Sequence, residues 1–316
     1  MLHGWLILDK PLGLGSTQAV GAVKRALRDG GYGKAKVGHG GTLDPLATGV
    51  LPIALGEATK LAGRMLDSDK VYEFTVGFGM ETDTLDLEGK MVAQSGVRPT
   101  LVEIDAVLPR FTGAISQVPP VYSALKVDGE RAYDLARSGA DVVLASREVT
   151  VHALYRHPGP DPGPRFPSEE GSGIPDQVRD DGLDEITLTA HVSKGTYIRS
   201  LARDIAHALG TVGHVTHLRR AKAGPFTLAS AISLDKLAAA AKARELEHLI
   251  LPLWAGLDDI PALSVDPDQA GALRQGRVLD GVAADDGQYL AFAGTTPVAL
   301  VAVMDRQVRV VRGFNI

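Results

Sequence analysis

The sequence predicts a mixed α/β protein with a small β-rich tail. Two observations carry that prediction. Segments whose apolar residues alternate with period two are interleaved with segments whose apolar residues recur at helical spacing. After about residue 256 the chain changes character: "YLAFAGTTPVALVAVMDRQVRVVRGF" is dense in valine and broken by turns. At 316 residues the length favours about two domains. The expected division is a body over 1–255 and a β-rich domain over 256–316.

The elements follow in order. "GWLILDKP" reads as a short strand stopped by a proline turn. Ser16 is placed as the N-cap of a helix in which Val20, Val23 and Leu27 recur at helical spacing. "RDGGYGKAK" is a glycine-rich loop, and "VYEFTVGFG" alternates Tyr72, Phe74, Val76 and Phe78 as a half-buried strand does. "TLVEIDAVLPRF" and "ERAYDLARSG" predict short helices, the second stopping at Gly139. "EITLTAHVS" is a strand by the alternation of Ile186, Leu188, Ala190 and Val192, and "YIRSLARDIAHALG" an amphipathic helix ending at Gly210.

Composition excludes several functions. There are no cysteines, so disulfides, cysteine-ligated zinc and thiol catalysis are ruled out, and a reducing compartment fits. The N-terminus lacks a basic leader, and no stretch approaches the roughly 18–20 apolar residues of a membrane helix, so a cytoplasmic protein is expected. The net charge of −5 argues against a polyanionic partner until its distribution is considered. Residues 156–185 hold 8 acids and 3 bases, which accounts for all of it. That Pro-, Gly- and Asp-rich stretch has no apolar period and is expected to be a disordered surface insertion. Residues 191–222 instead carry 6 basic residues, one acid and four histidines, a local patch suited to a polyanion.

The residues that bear chemistry centre on "KVGHGGTLDPLATGVLP". Asp44 precedes a proline, which suits a helix cap, and equally suits a carboxylate held extended beside open space as a nucleophile. Gly40 and Gly41 allow close backbone approach there. No second carboxylate or His-x-His partner lies nearby, so no metal site is expected. "GHGG" lacks the G-x-S-x-G elbow an esterase needs, and no G-x-x-x-x-G-K-[ST] phosphate loop occurs. Tyr197 stands where a strand passes to a helix, and Arg199 and Arg203 share one face of that helix beside Asp204. Arg219, Arg220 and Lys222 follow. A tyrosine among cations suits base stacking with phosphate contact.

"GHGGTLDPLATGVLPIALGEATK" resembles the catalytic-loop signature of the bacterial tRNA pseudouridine-55 synthases. "LILDKPLGLGST", "KVYEFTVGFGMETDTLDLEG", "QVPPVYSALKVDGERAYDLAR", "VSKGTYIRSLARDIAHALG" and "HLRRAKAGPF" match the same family in the same order. The resemblance implies a pseudouridine-synthase fold, with a mostly antiparallel sheet flanked by helices and a C-terminal PUA-like RNA-binding domain. It implies isomerisation of a T-loop uridine of tRNA to pseudouridine by a monomer, with no cofactor and no metal, and assistance to tRNA folding. Asp44 matches the nucleophile, and Arg199 the arginine that pairs with it and keeps it ionised. Tyr72 matches the tyrosine that stacks on the uracil and is placed to take part in proton transfer, His39 the histidine that helps extrude the nucleotide, and Tyr197 and Leu218 pocket-lining positions. Whether Asp44 attacks C1′ or C6, or first assists loss of a C2′ proton, is not legible in the residues. The rivals are a synthase for another RNA position, an RNA-folding protein without catalysis, and a metal-dependent or hydrolytic enzyme, for which the sequence offers neither a ligand cluster nor a triad.

Overall fold

The computed structural model describes residues 2–123, 125–127, 129–140, 142–157 and 182–316. Most of the acidic insertion, residues 158–181, therefore lies outside the described residues. The chain divides into two compact units, Met1–Ser68 with Lys222–Ile316, and Asp69–Ala221, and each is described by itself.

The first unit starts with β1 (Gly4–Lys10), every residue of which is buried except Asp9. It pairs antiparallel with β3 (Ala47–Leu55), Ile7 lying opposite Pro52. Pro52 cannot donate to the ladder, and its carbonyl accepts from Gly40 N at 2.8 Å. Helix α1 (Ser16–Asp29) buries Val23 and Leu27 as expected, with Ala19 and Ala26 beside them, while Val20 is half-buried. Its N-cap is Gly15, in extended conformation, not Ser16. The Gln18 side chain accepts the Gly15 N–H at 2.8 Å, and the Ser16 hydroxyl is used elsewhere. Strand β2 (Val37–His39) joins the other edge of β3, with His39 opposite Ile53. A 3₁₀ turn over Gly56–Leu61 and α2 (Ala62–Asp67) close this half of the unit.

The second unit opens with β4 (Lys70–Phe78) and a hairpin of β5 (Met80–Thr82) and β6 (Met91–Gln94). Helix α3 (Leu101–Val107) starts with a reciprocal cap between Thr100 and Glu103, as the "TLVE" spacing predicts. Then come β7 (Gly113–Gln117), the short pair β8 (Lys126–Val127) and β9 (Glu130–Arg131), α4 (Ala132–Arg137), β10 (Arg147–Arg156), β11 (Glu185–Val192), α5 (Ile198–Ala208) and β12 (Gly213–Ala223). The strand order is β12-β4-β11-β10-β7, and the β4–β11, β11–β10 and β10–β7 pairs are antiparallel. The expected half-buried strand is a central one: from Phe74 to Phe78 both faces of β4 are covered. Period-two alternation of aromatic and small residues hid this, because Thr75 and Gly77 are polar or small yet interior.

The first unit resumes with β13 (Phe226–Thr227) and α6 (Leu234–Ala243), capped by Ser233. The valine-rich tail forms β14 (Ala262–Ser264), α7 (Pro267–Arg274), β15 (Gly287–Ala293), β16 (Thr296–Met304) and β17 (Gln307–Gly313). These strands make a four-stranded sheet in sequence order, parallel only between β14 and β15. Alternation along each strand divides its side chains between two cores. Ala291, Ala299, Val301 and Val308 join Leu273 of α7, whereas Leu290, Leu300 and Phe314 pack with Trp5, Val50, Met65 and Phe226. No helix among the described residues is long and apolar enough to cross a membrane.

Candidate active site

The loop carrying Asp44 is held from below by two polar side chains. Lys10, at the end of β1, is fully buried and donates to the carbonyls of Leu14, Pro11 and Pro45 at 2.6, 3.1 and 3.3 Å. Ser16, also buried, donates to Leu43 O at 3.0 Å and accepts from Leu43 N at 2.8 Å. Gly13 N donates to Pro45 O at 2.9 Å. The loop glycines fit for specific reasons. A Cβ on Gly40 would lie 2.6 Å from Met65 Cβ, and Gly41 has φ of +137°, a region L side chains rarely adopt.

Asp44 therefore caps no helix. Pro45 and Leu46 form a turn, and Ala47, whose N–H donates to Asp44 O at 3.0 Å, begins β3. The carboxylate sits half-buried at the tip of a braced turn between two strands. His39 lies in the same unit at the end of β2, also half-buried.

The second unit carries Tyr72, Tyr197, Arg199, Arg203, Leu218, Arg219 and Arg220. Tyr72 is half-buried on β4, opposite Ala190. Tyr197 precedes α5 in extended conformation; Gln117 accepts its N–H at 2.8 Å and donates to its carbonyl at 3.1 Å. The Arg147 guanidinium stacks 4.8 Å from the centre of the Tyr197 ring.

Arg199 is not on a solvated helix face. It is 7% exposed and donates to Thr84 O at 2.9 Å, Tyr122 O at 3.1 Å and Asp86 Oδ2 at 3.2 Å. Asp86 is itself buried, and its other oxygen accepts from Thr84 Oγ1 at 2.6 Å and Glu88 N at 3.0 Å. Leu85 beside it has φ of +62°, a strained conformation for a non-glycine residue. Val215 N holds Leu85 O at 3.0 Å. Sequence reasoning missed Asp86. Its signal was "TDTLD", where hydroxyls and carboxylates alternate in a turn too short to be a helix.

Arg203, one turn along α5, chelates Asp204 at 2.8 Å and donates to Val118 O at 3.2 Å. Burial pushes the Asp204 carboxyl above the ordinary aspartate range, against the opposing pull of Arg203. On β12, Leu218 is buried and Arg219 half-buried, while Arg220, at 1% exposed, is an interior residue rather than a surface cation. Lys222, in the first unit, is exposed.

Residues 30–198 match the model of the TruB family pseudouridylate synthase N-terminal domain, and residues 199–258 that of the tRNA pseudouridylate synthase B C-terminal domain. The chain belongs to the TruB family of pseudouridylate synthases. It is similar to the tRNA pseudouridine synthase B of Novosphingobium aromaticivorans, 63% identical over 100% of this chain and 98% of that one. The tRNA pseudouridine synthase B of Zymomonas mobilis is 57% identical over 99% of this chain and 96% of its own. Among solved structures, a chain of a Cbf5-Nop10-Gar1 complex is 23% identical with a TM-score of 0.70, covering 99% of this chain and 85% of that chain. A chain of an H/ACA RNP bound to a substrate RNA containing 2′-deoxyuridine gives 0.69 at 22% identity, over 99% and 86%. These two likenesses establish the TruB-type fold: a sheet flanked by helices with a β-rich C-terminal region. The Asp44 loop combines a braced backbone with a half-buried aspartate.

Proposed function

We propose that this chain converts the uridine at position 55, in the T-loop of tRNA, to pseudouridine, with Asp44 as nucleophile and no cofactor. The observation that carries the reading is the braced turn: Lys10 and Ser16 fix the backbone on both sides of a half-buried carboxylate. The reaction breaks the bond between C1′ and N1 and makes one between C1′ and C5; the C5 proton is lost and N1 gains one. Uracil has to rotate without escaping, so the nucleophile must hold its place to within a fraction of an ångström.

Each remaining residue takes a role consistent with its setting. Tyr72 stacks on the uracil. Arg199 is held by Asp86 and two carbonyls, so its guanidinium is fixed at small conformational cost for the pairing with the nucleophile that the family resemblance implies. Tyr197, fixed at both backbone atoms by Gln117, lines the uridine pocket with Leu218. His39 helps extrude the nucleotide, offsetting an unstacking cost of a few kcal/mol. Arg203, Arg219 and Lys222 face phosphates. Arg220 acts from the interior, by supporting β12. The T-arm is the partner of a monomer working in the cytoplasm. Residues 1–255 carry catalysis, while 256–316, with 8 acids against 5 bases, serve as a PUA-like domain with a minor share of RNA affinity. Assistance to tRNA folding follows from the same opening of the T-loop.

The test is tritium release from a T-arm RNA bearing 5-tritiated uridine, wild type beside Asp44→Asn, with RNA binding measured on both. Release by wild type alone, with equal binding, supports the reading. Binding without release by either protein overturns it in favour of an RNA-folding role.

A further inference from the structure

One cluster of metal-binding side chains lies away from the residues discussed above. Asp69 immediately precedes β4, His152 is on β10 and His191 on β11, three strands adjacent in the sheet. Their ligand atoms all lie within 4.8 Å of one another. Asp69 Oδ2 is 3.2 Å from His152 Nε2 and 3.7 Å from His191 Nε2, so both imidazoles aim the same nitrogen at one oxygen. Two ligands bound at zinc distances with tetrahedral angles stand about 3.4 Å apart. Closing the remaining gap needs only a small rotation of the rings.

The backbone is built to make this meeting. On β10, Val151 opposes Val192 and Ala153 opposes His191, leaving His152 as the extra residue of a β-bulge. A bulge re-aims a side chain, and without it His152 would point to the face opposite its neighbours. The rings stand 4.8 Å apart at 48°, close enough for both to ligate one cation. The three side chains are 37%, 41% and 49% exposed, so solvent can complete the coordination. His191 lies opposite Val71, whereas Tyr72 lies opposite Ala190, which puts the cluster on the other face of the sheet from Tyr72.

We propose that Asp69, His152 and His191 form a surface site for one divalent transition-metal ion of the zinc type, tying the start of β4 and the end of β11 to the bulge of β10. Two imidazoles and one carboxylate suit zinc, cobalt, nickel or copper and not magnesium or calcium. The reading is independent of the pseudouridylation chemistry.

The experiment titrates zinc chloride into the untagged, metal-stripped full chain by calorimetry, with cobalt(II) absorption as a second probe. The expected result is one equivalent bound with micromolar affinity, weakened at least about tenfold by His152→Ala or by His191→Ala. Zinc should raise the melting temperature of wild type and raise that of both variants less at the same zinc concentration. Asp69→Asn keeps both rings and the side-chain shape, and tests the carboxylate should either alanine variant fold poorly. Absence of binding, or an affinity that none of the three substitutions changes, would overturn the proposal.

Discussion

Ser16→Ala tests whether the Asp44 turn owes its rigidity to one buried hydroxyl. The serine both donates to Leu43 O and accepts from Leu43 N, at 3.0 and 2.8 Å, with serine and leucine each buried. Alanine removes one oxygen and leaves two backbone groups without that partner. Each orphaned buried group costs about 1–3 kcal/mol. Alanine returns about 0.5 kcal/mol through better helix propensity in the first turn of α1. Taking the low end twice and subtracting that gain, the loss is ~1.5 kcal/mol, or about tenfold in the local opening equilibrium. Amide exchange at Leu43 reads this directly, and the variant should lose about tenfold of its protection. The tritium-release rate should fall by at least as much, because the carboxylate then samples positions from which it cannot react. RNA affinity should stay within about twofold, since no surface cation is touched. Unchanged exchange at Leu43 together with an unchanged rate would refute the claim that Ser16 braces the loop.

Three other outcomes follow from the structure. Asp86→Asn removes the charge paired with a buried guanidinium, and should cost about 3 kcal/mol in urea unfolding; a loss under about 1 kcal/mol would mean that the carbonyls alone satisfy Arg199. Glu57→Gln concerns the chain's end, where the carboxylate meets Lys60 at 2.6 Å and accepts Asn315 N at 2.9 Å. Partial burial raises the Glu57 carboxyl, yet the Lys60 ammonium and the Asn315 N–H together hold it below its ordinary value of 4.5. A depressed acid contributes stability above its unfolded pKa and loses it as pH falls through the folded one. The variant should be about 1 kcal/mol less stable than wild type at pH 7 and equal to it once acid has protonated Glu57 in the folded state; a difference that persists in acid would refute the electrostatic account. Replacing residues 158–181 by a short linker should leave the release rate within about twofold, because Arg156 of β10 already faces Leu188 of β11 across an antiparallel ladder that a short turn can close; a severe loss would give the acidic segment a part in catalysis.

Local rules reached as far as local forces decide. The helix in "TLVEIDAVLPRF", the stop of α4 at Gly139 and the end of α5 at Gly210 depend on a few consecutive residues, and each was legible in order. Ser16 was misread, and the inner partner of Arg199 went unseen, because in both cases a distant part of the chain supplied the contact. A serine before a helical run is an N-cap unless a buried backbone competes for its hydroxyl, and Leu43, 27 residues away, does so with both its polar groups. An arginine at i, i+4 from another on a helix belongs to a solvated face unless a carboxylate waits inside, and Asp86, 113 residues away, is that carboxylate. No window of sequence contains either pair. The same reasoning explains why the Asp44 turn was found while its support was not. Glycines, a proline and an acid advertise a constrained loop, but the groups that constrain it, Lys10 and Ser16, look like an ordinary strand end and an ordinary cap. A site of this kind is therefore visible in sequence by its exposed chemistry, and the buried polar contacts that fix its geometry come into view only when the fold closes around it.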